Sequence, residues 1–311
     1  MQANPIPVKA HDPLPAWAYP VPARGSAERP PPENFVARSL PGTDVKLYAS
    51  QTLERFDVGD WRPAEHPAMP TIVAHGHNPD VIACAYCHYP NGLGRPENSS
   101  IAGLPLDYIV AQVVDMKAGT RTSAEPKMGP PSAMRKLAAA VKPEDLREAA
   151  AYFSKLKRRK WIRVVETDTV PKVRVGGGSM FVPVAEGGVE PIGDRIVETA
   201  ENLDRAGLRD PASGFVAYVP RGSVAKGKRF VATGGSGKAK PCTQCHGPDL
   251  HGVGVVPDIA GRSPSYVTRQ LYDIQSGARH GAGAAPMIDV VANMSNADML
   301  AVSSYLATLA P

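Results

Sequence analysis

The sequence predicts a mainly α-helical protein made of two similar units, joined by a connector with short β segments and preceded by a proline-rich arm. Three observations carry this prediction. A five-residue cysteine and histidine frame occurs twice in the 311 residues. The residues around the first frame recur around the second at a fixed spacing. Apolar runs of helical length end at glycine within each unit, whereas the region between the units holds short β-like runs broken by glycines.

The two frames read CAYCH and CTQCH, and together they use all four cysteines of the chain. Three chemistries use two cysteines at this spacing: a dithiol redox pair, a zinc site with further ligands, and covalent haem attachment. Only the last needs a histidine directly behind the second cysteine, where it can reach the haem iron. The frames therefore predict two covalently attached haem c groups, held by Cys84, Cys87, His88, Cys242, Cys245 and His246.

An internal duplication explains the second frame. A shift of 158 residues places Cys84 on Cys242, and identical residues then recur ahead of and behind the frames. After Arg121 and its match Arg279 the second copy is five residues shorter, and the agreement resumes at a shift of 153. Each copy predicts the same order of elements: a short helix, the frame, a glycine-rich loop, a middle helix, a loop with a methionine, and a final helix. The final helix begins at Pro143 in one copy and after a Ser295 capping box in the other.

A haem that only passes electrons needs a second axial ligand, and methionine is the usual high-potential choice. Only Met134 and Met287 recur in both copies, each predicted in the loop before the last helix, so the iron ligands are predicted as His88 with Met134 and His246 with Met287. Met128 is the alternative in the first copy, because its surroundings also read as loop. Side chains expected to pack in the cores are Met116, Met294 and Met299. Histidines expected at the surface rather than on iron are His75, His77, His251 and His280.

With CAYCH, CTQCH, the paired methionines and the closing SNADMLAVSSYL helix, the sequence resembles the class I cytochromes c, and specifically the tandem two-haem cytochromes c of bacterial periplasms. The resemblance covers roughly residues 66–157 and 222–310. It implies an α-helical fold around each haem with one haem edge exposed, and His/Met ligation. It also implies that a proline carbonyl orients the proximal histidine. Pro257 fits this role, but Ser99 occupies the matching place in the first copy, with Pro96 nearby, which calls the bond to His88 into question and predicts two different reduction potentials.

The resemblance and the composition together divide the chain into four parts. Residues 1–60 form a Pro-rich extension, interpreted as an arm lying on the haem domains or as a docking arm for a larger enzyme. Cytochrome c domains are predicted over residues 61–160 and 220–311. The connector, residues 161–219, is far longer than the linker of simple tandem members, and its β-like runs are expected to form small hairpins or straps.

The bulk composition limits the partners. No apolar run reaches the length that crosses a bilayer, so the protein is not expected to span a membrane. The formal charge of +5 mildly favours acidic partners, and the basic run 155–163 is interpreted as a solvated helix end rather than a nucleic-acid site. The first residues show no signal-peptide pattern. Because haem is attached covalently outside the cytoplasm, the location is nevertheless predicted as periplasmic.

The predicted function is single-electron transfer, without catalysis, between a periplasmic dehydrogenase or quinol-oxidising complex and a terminal oxidase. The protein would act as a free shuttle or as the cytochrome subunit of a dehydrogenase. The alternative is a two-haem enzyme of the peroxidase type, which requires one open or displaceable iron ligand and acid/base groups beside it. The matched methionines weigh against this alternative.

Overall fold

The computed structural model describes residues 11–23 and 35–311, and helices dominate both copies of the repeat. In the first copy they are α1 (Thr71–Ala74), α2 (Cys84–His88), α3 (Leu106–Ala118), α4 (Gly129–Ala140) and α5 (Pro143–Ser154). A short α6 (Leu203–Gly207) lies in the connector. In the second copy they are α7 (Ser223–Gly237), α8 (Thr243–His246), α9 (Pro264–Gln275), α10 (Ala285–Val291) and α11 (Asn296–Thr308).

The helix signals of the sequence are confirmed at the ends of the elements. Helix α3 stops at Gly119, which adopts the left-handed conformation with φ of 80°. Helix α7 loses helical dihedrals from Gly234 onward. Helix α11 begins with the predicted capping box, in which the side chains of Ser295 and Asp298 each accept from the other's backbone N–H. The repeat therefore specifies the same helical framework twice.

Each copy builds a hydrophobic core of its own. In the first copy, side chains of α1, α3 and α5 surround the CAYCH helix, with Phe153 among the fully buried residues. In the second, α7, α9, α10 and α11 enclose the CTQCH segment. Helices α7 and α11 pack closely because Gly227 lacks a side chain, since a Cβ there would overlap the carbonyl oxygen of Ala301. Both cores therefore lie directly against a haem-binding frame.

Strands occur in two places. A minimal pair, β1 (Arg38–Ser39) with β2 (Lys46–Leu47), precedes the first copy. The connector holds β3 (Ile162–Thr167), β4 (Thr169–Pro171), β5 (Val173–Gly176), β6 (Met180–Pro183), β7 (Val189–Pro191), β8 (Val197–Ala200) and β9 (Phe215–Pro220). Strands β5 and β6 form an antiparallel hairpin, as the sequence suggests, and β4 pairs with β7. The three-stranded sheet β3-β9-β8 was not anticipated, because β3 and β9 pair in parallel across the whole connector.

Part of the connector belongs to the first copy's core, whereas other connector residues form a small cluster of their own and a cluster with α11. Trp161, Ile162, Phe215 and Ala217 are buried in the same cluster as the helices of that copy. The indole N–H of Trp61 donates to the carbonyl of Leu208 at 2.8 Å, which fixes the connector to the segment before α1. The predicted domain limits of 61–160 and 220–311 stay predictions, since burial continues across the first of them.

The N-terminal arm is described only in part. Residues 11–23 lie against the second copy, where Tyr19 is buried and its hydroxyl donates to Asp273 at 2.8 Å. Arg269 of α9 donates to the carbonyl of Ala18 at 2.7 Å. The described stretch therefore contacts a haem domain, while residues 1–10 and 24–34 lie outside the described residues. The interpretation as a docking arm stays a prediction.

Within residues 11–23 and 35–311, no helix is both long enough and apolar enough to cross a bilayer.

Candidate haem-binding sites

The first frame forms the short helix α2, which brings both cysteines and the histidine of CAYCH to one segment. The Nδ1 atom of His88 lies 2.8 Å from the carbonyl oxygen of Ser99, so this nitrogen donates and Nε2 remains available as a ligand. The ring of Phe153 meets the imidazole edge to face, with 6.2 Å between ring centroids. The hydrogen bond and the ring contact fix both the tautomer and the orientation of His88.

The second frame has the same geometry. Cys242 is the N-cap residue of α8, and Nδ1 of His246 lies 2.8 Å from the carbonyl oxygen of Pro257. The expected weakness of the first site is therefore wrong: Ser99 accepts from His88 at the same distance. The physical reason is that the acceptor is a main-chain carbonyl, which serine supplies as well as proline. This bond therefore gives no reason to expect two different potentials.

Burial also suits both histidines to metal ligation. Desolvation lowers the pKa of His88 and of His246, and the hydrogen bonds to Ser99 and Pro257 only partly offset this effect. Both imidazoles are therefore neutral near pH 7, which is the form that binds a metal. The four cysteines form no disulfides.

The two matched methionines lie in helices, not in loops as expected. Met134 belongs to α4 and packs, half-buried, against the first core. Met287 belongs to α10 and packs in the same way against the second core. Both helices carry proline in their first turn, where a missing N–H costs nothing and the fixed φ favours the helix. The segments predicted as loops are thus helices whose first turn contains proline.

Met128, the alternative ligand of the first copy, lies elsewhere. It is fully buried, and it packs in the core of the second copy together with residues of the N-terminal arm. The structure therefore gives each core one half-buried, matched methionine and separates Met128 from the first core. Met294 and Met299 are buried in the second core, and Met116 packs against the first.

The remaining histidines near the frames are exposed and engaged at the surface. His75 lies 3.2 Å from Asp57, and His77 lies 3.0 Å from Asp145. His251 contacts Asp249 and the carbonyl of Ala310, and His280 contacts the carbonyl of Gly277.

A polar cluster that the sequence left without a role joins the two copies. Its six members are three matched pairs of the repeat: Tyr108 with Tyr266, Gln112 with Gln270, and Arg121 with Arg279. The guanidinium of Arg121 donates to Gln112 at 2.9 Å, to Gln270 at 3.0 Å and to Tyr266 at 3.2 Å. The guanidinium of Arg279 donates to Gln112 at 2.9 Å, to Gln270 at 3.1 Å and to Tyr108 at 3.1 Å. The available signal was that all three residue types recur at matched positions of the repeat, two of them on the middle helix and the arginine just after it.

This cluster carries an excess of positive charge. Both arginines are buried, and within the described residues neither forms a salt bridge with a carboxylate. Burial alone would raise the pKa of Tyr266, but Arg121 and Arg279 outweigh it and bring the pKa to about 8. Two buried cations that share neutral acceptors are a site suited to an anion.

The cytochrome c family model matches residues 224–310, which cover the second copy. Cytochrome c4 of Azotobacter vinelandii is 28% identical over 231 residues, covering 73% of this chain and 84% of that protein. The second copy is therefore a cytochrome c domain, and the chain is similar to two-haem cytochromes c over about three quarters of its length.

Further comparisons agree with this family. The thiosulfate dehydrogenase electron acceptor of Thiomonas intermedia is 25% identical over 234 residues, covering 74% of this chain and 79% of that protein. The solved thiosulfate dehydrogenase (TsdBA) of Marichromatium purpuratum superposes on 78% of this chain with a TM-score of 0.51 and 23% identity. The match spans 39% of that longer chain and supports the class I cytochrome c fold.

The protein carries two covalently attached haem c groups and transfers electrons. The residues present fit this cofactor. Each frame offers two thiols and one neutral imidazole with a free Nε2, and each core offers a thioether. The arginine cluster offers cationic donors of the kind that bind the propionate carboxylates of a haem.

Proposed function

We propose that His88 with Met134 and His246 with Met287 are the axial ligands of the two haem irons, and that the protein carries single electrons in the periplasm from a dehydrogenase or quinol-oxidising complex to a terminal acceptor. The haem supplies a ferric/ferrous couple that exchanges one electron without bond formation. The polypeptide supplies thioether attachment, ligand orientation and exclusion of water.

One observation carries the proposal: both proximal histidines donate from Nδ1 to a carbonyl at 2.8 Å. Identical orientation of the two imidazoles on two copies of one frame is what a pair of electron-transfer haems requires. A half-buried methionine in each core, Met134 or Met287, supplies the matching thioether. With both axial positions filled, neither iron offers a site for peroxide.

We assign the propionates of the two haems to the cluster around Arg121 and Arg279. Charge supports this, because two buried guanidiniums without carboxylate partners among the described residues are neutralised by such anions. Matching residues of both copies meet there, so the carboxylate edges of the two haems would share one interface. That arrangement favours electron exchange between the haems within one molecule.

The relatives support a dehydrogenase as the donor. One of them is named as the electron acceptor of thiosulfate dehydrogenase. By analogy this chain would accept electrons from a dehydrogenase, either as a shuttle or as a bound cytochrome subunit. Periplasmic location follows from covalent haem attachment, and the domains would be residues 61–160 and 220–311.

Absorption spectroscopy of ligand variants tests the proposal. Ferric wild-type protein is expected to show the weak red charge-transfer band of methionine-ligated iron for both haems. Met287→Ala should remove the contribution of the second haem and lower its potential on the order of 0.1 V or more, since axial ligands span about 0.8 V across haem proteins. Met134→Ala should do the same for the first haem.

Met128→Leu is the matched control and should leave the band intact, because Met128 packs in the second core. Loss of the band in this variant, or its retention in Met287→Ala, would contradict the ligand assignment. A high-spin wild-type spectrum with peroxide turnover would favour the peroxidase alternative.

A further inference from the structure

The outer faces of the two frames differ at matched positions of the repeat. The sequence places aromatic or charged residues on the first copy where the second has uncharged, non-aromatic ones. At the 158-residue shift the pairs are Tyr86 with Gln244, Tyr89 with Gly247, Arg95 with Val253, and Glu97 with Val255. The two copies therefore differ at these outer positions, although the hydrogen bonds of their proximal histidines have the same length.

The connector covers the first of these faces. Arg209 lies over the rings of Tyr86 and Tyr89, with its guanidinium carbon 4.4 Å and 5.3 Å from the two centroids. Tyr89 directly follows His88 and is only 4% exposed. The neighbouring Pro211 accepts from the side-chain amide of Asn91 at 3.0 Å. The cation–π contacts of Arg209 and the hydrogen bond to Pro211 therefore hold the connector over this side of the first frame.

The hairpin of the connector covers the rest of the same face. Arg95 and Glu97 form a buried ion pair at 2.6 Å. The Cα of Gly178, at the turn of the β5–β6 hairpin, is so close that a Cβ there would lie 3.4 Å from Arg95. Glu97 also lines a small cavity together with Trp17 of the arm and Phe181 of the hairpin. Side chains that would face a partner are therefore covered by the protein's own chain.

The second face is open and apolar. Cys245 is exposed. Val253 and Val255 follow in the loop after CTQCH and are 59% and 66% exposed. Val253 belongs to the same surface as the frame, since a Cβ on Gly247 would lie 3.4 Å from its Cγ2. Exposed valines next to a haem attachment point form an uncharged contact area.

The second copy carries exposed positive charge just before its frame and on α7. Lys240 is exposed two residues before Cys242, and α7 carries the exposed Lys226, Lys228 and Arg229. Within the described residues none of these four forms a salt bridge, whereas Lys238 pairs with Asp298. The one exposed acid of the loop, Asp249, pairs with His251 at 3.3 Å. The corresponding positions of the first copy are uncharged, namely Ala68, Pro70, Thr71 and Ile82.

We propose that the second-haem face, made of Val253, Val255 and Lys240 beside the CTQCH frame, is the docking surface for an acidic one-electron redox protein with an apolar area around its own redox centre. This inference rests on the proposed electron-transfer function. In the docked pair one electron would cross: the partner's centre would lose the electron that the second haem gains, or the reverse. The first haem, covered by the connector, exchanges electrons through the second.

The experiment uses the holoprotein and an electrode coated with a mixed carboxylate and methyl monolayer, which presents the acidic and apolar chemistry of the inferred partner. Val255→Glu should slow interfacial electron transfer by at least tenfold at low salt, because it places a negative charge on the contact area. The matched control is Val114→Glu, which adds the same charge at an exposed valine of α3 in the first copy and should stay within twofold of wild type. Lys240→Gln should slow transfer severalfold, with Lys172→Gln as its control.

Equal slowing by Val255→Glu and Val114→Glu would overturn the proposal, since the net charge of the protein, and not the position of the added charge, would then set the electron-transfer rate. An unchanged rate in Val255→Glu and Lys240→Gln would also overturn it. A solution redox titration of each variant tests the electron-transfer function separately from the docking surface. Failure of the haems to cycle reversibly by one electron each would remove the proposed function, whereas normal cycling with unaffected electrode rates would remove only the docking surface.

Discussion

The two copies of the repeat keep the same interior and differ in what surrounds it. Inside, both histidines bond a carbonyl at 2.8 Å and both cores present one half-buried methionine. Outside, the first frame lies beneath Arg209 and the connector hairpin, while the second frame carries exposed valines. Duplication has therefore preserved the residues proposed to bind the cofactor, whereas the surface residues differ between the copies.

The largest expected effect concerns the attachment of the connector. Asp210 is buried and accepts from Arg62 at 3.1 Å and from Arg205 at 2.7 Å. Asp210→Asn should lower the free energy of unfolding by about 1.5–3 kcal/mol, as expected for loss of hydrogen bonds to charged groups. Hydrogen exchange should then rise over residues 84–100 but not over residues 242–258. Equal exchange in both segments would mean that the connector does not protect the first face.

The same carboxyl gives a pH dependence with a defined sign. Burial raises the pKa of Asp210, but the hydrogen bonds from Arg62, Ala212 and Arg205 outweigh it, so the folded pKa lies below the ordinary value. Its stabilisation is present above the unfolded pKa of about 3.9 and is lost as pH falls through the folded pKa. Denaturation curves of wild type and Asp210→Asn should therefore converge on acidification below about pH 4. Curves that stay parallel would contradict the ion pairing.

A smaller effect is expected at the residue after each histidine. Gly247 has φ of 84° and ψ of 161°, a region that side chains avoid, and Tyr89 occupies the same region with φ of 63° and ψ of 157°. In the first copy the contact with Arg209 offsets the strain. In the second copy, no cation–π contact at this position is present among the described residues. Gly247→Ala should therefore lower the free energy of unfolding by about 1–3 kcal/mol. Chemical denaturation measures this cost, and a neutral result would mean that the loop relaxes freely.

The smallest effect concerns the carbonyl behind the second histidine. Pro257→Ser copies the residue of the first site, and the acceptor remains a main-chain carbonyl. The reduction potential of the second haem, measured by redox titration, should therefore stay within error of wild type. A clear shift would restore the idea that this position sets the two haems apart.

Local sequence was sufficient for the framework of each site. The capping box at Ser295 and the glycine at 119 predicted helix ends correctly, because these signals act through bonds to their own neighbours. Local sequence gave a wrong prediction at α4 and α10, because the segments expected to be loops are helices with proline in the first turn. It also misled at Ser99, where residue type was taken as a guide to a bond that the main chain makes.

The amino-acid sequence alone specified the cofactor, its duplication and the candidate ligands, because thioether attachment and iron ligation require particular side chains at particular spacings. Which methionine lies in which core depended on the folded chain, since Met128 of the first copy packs in the second. Folding also brought Arg121 and Arg279 together and placed Arg209 over Tyr86. These contacts join residues far apart in the chain, and packing of the whole molecule, rather than any local pattern, selects them.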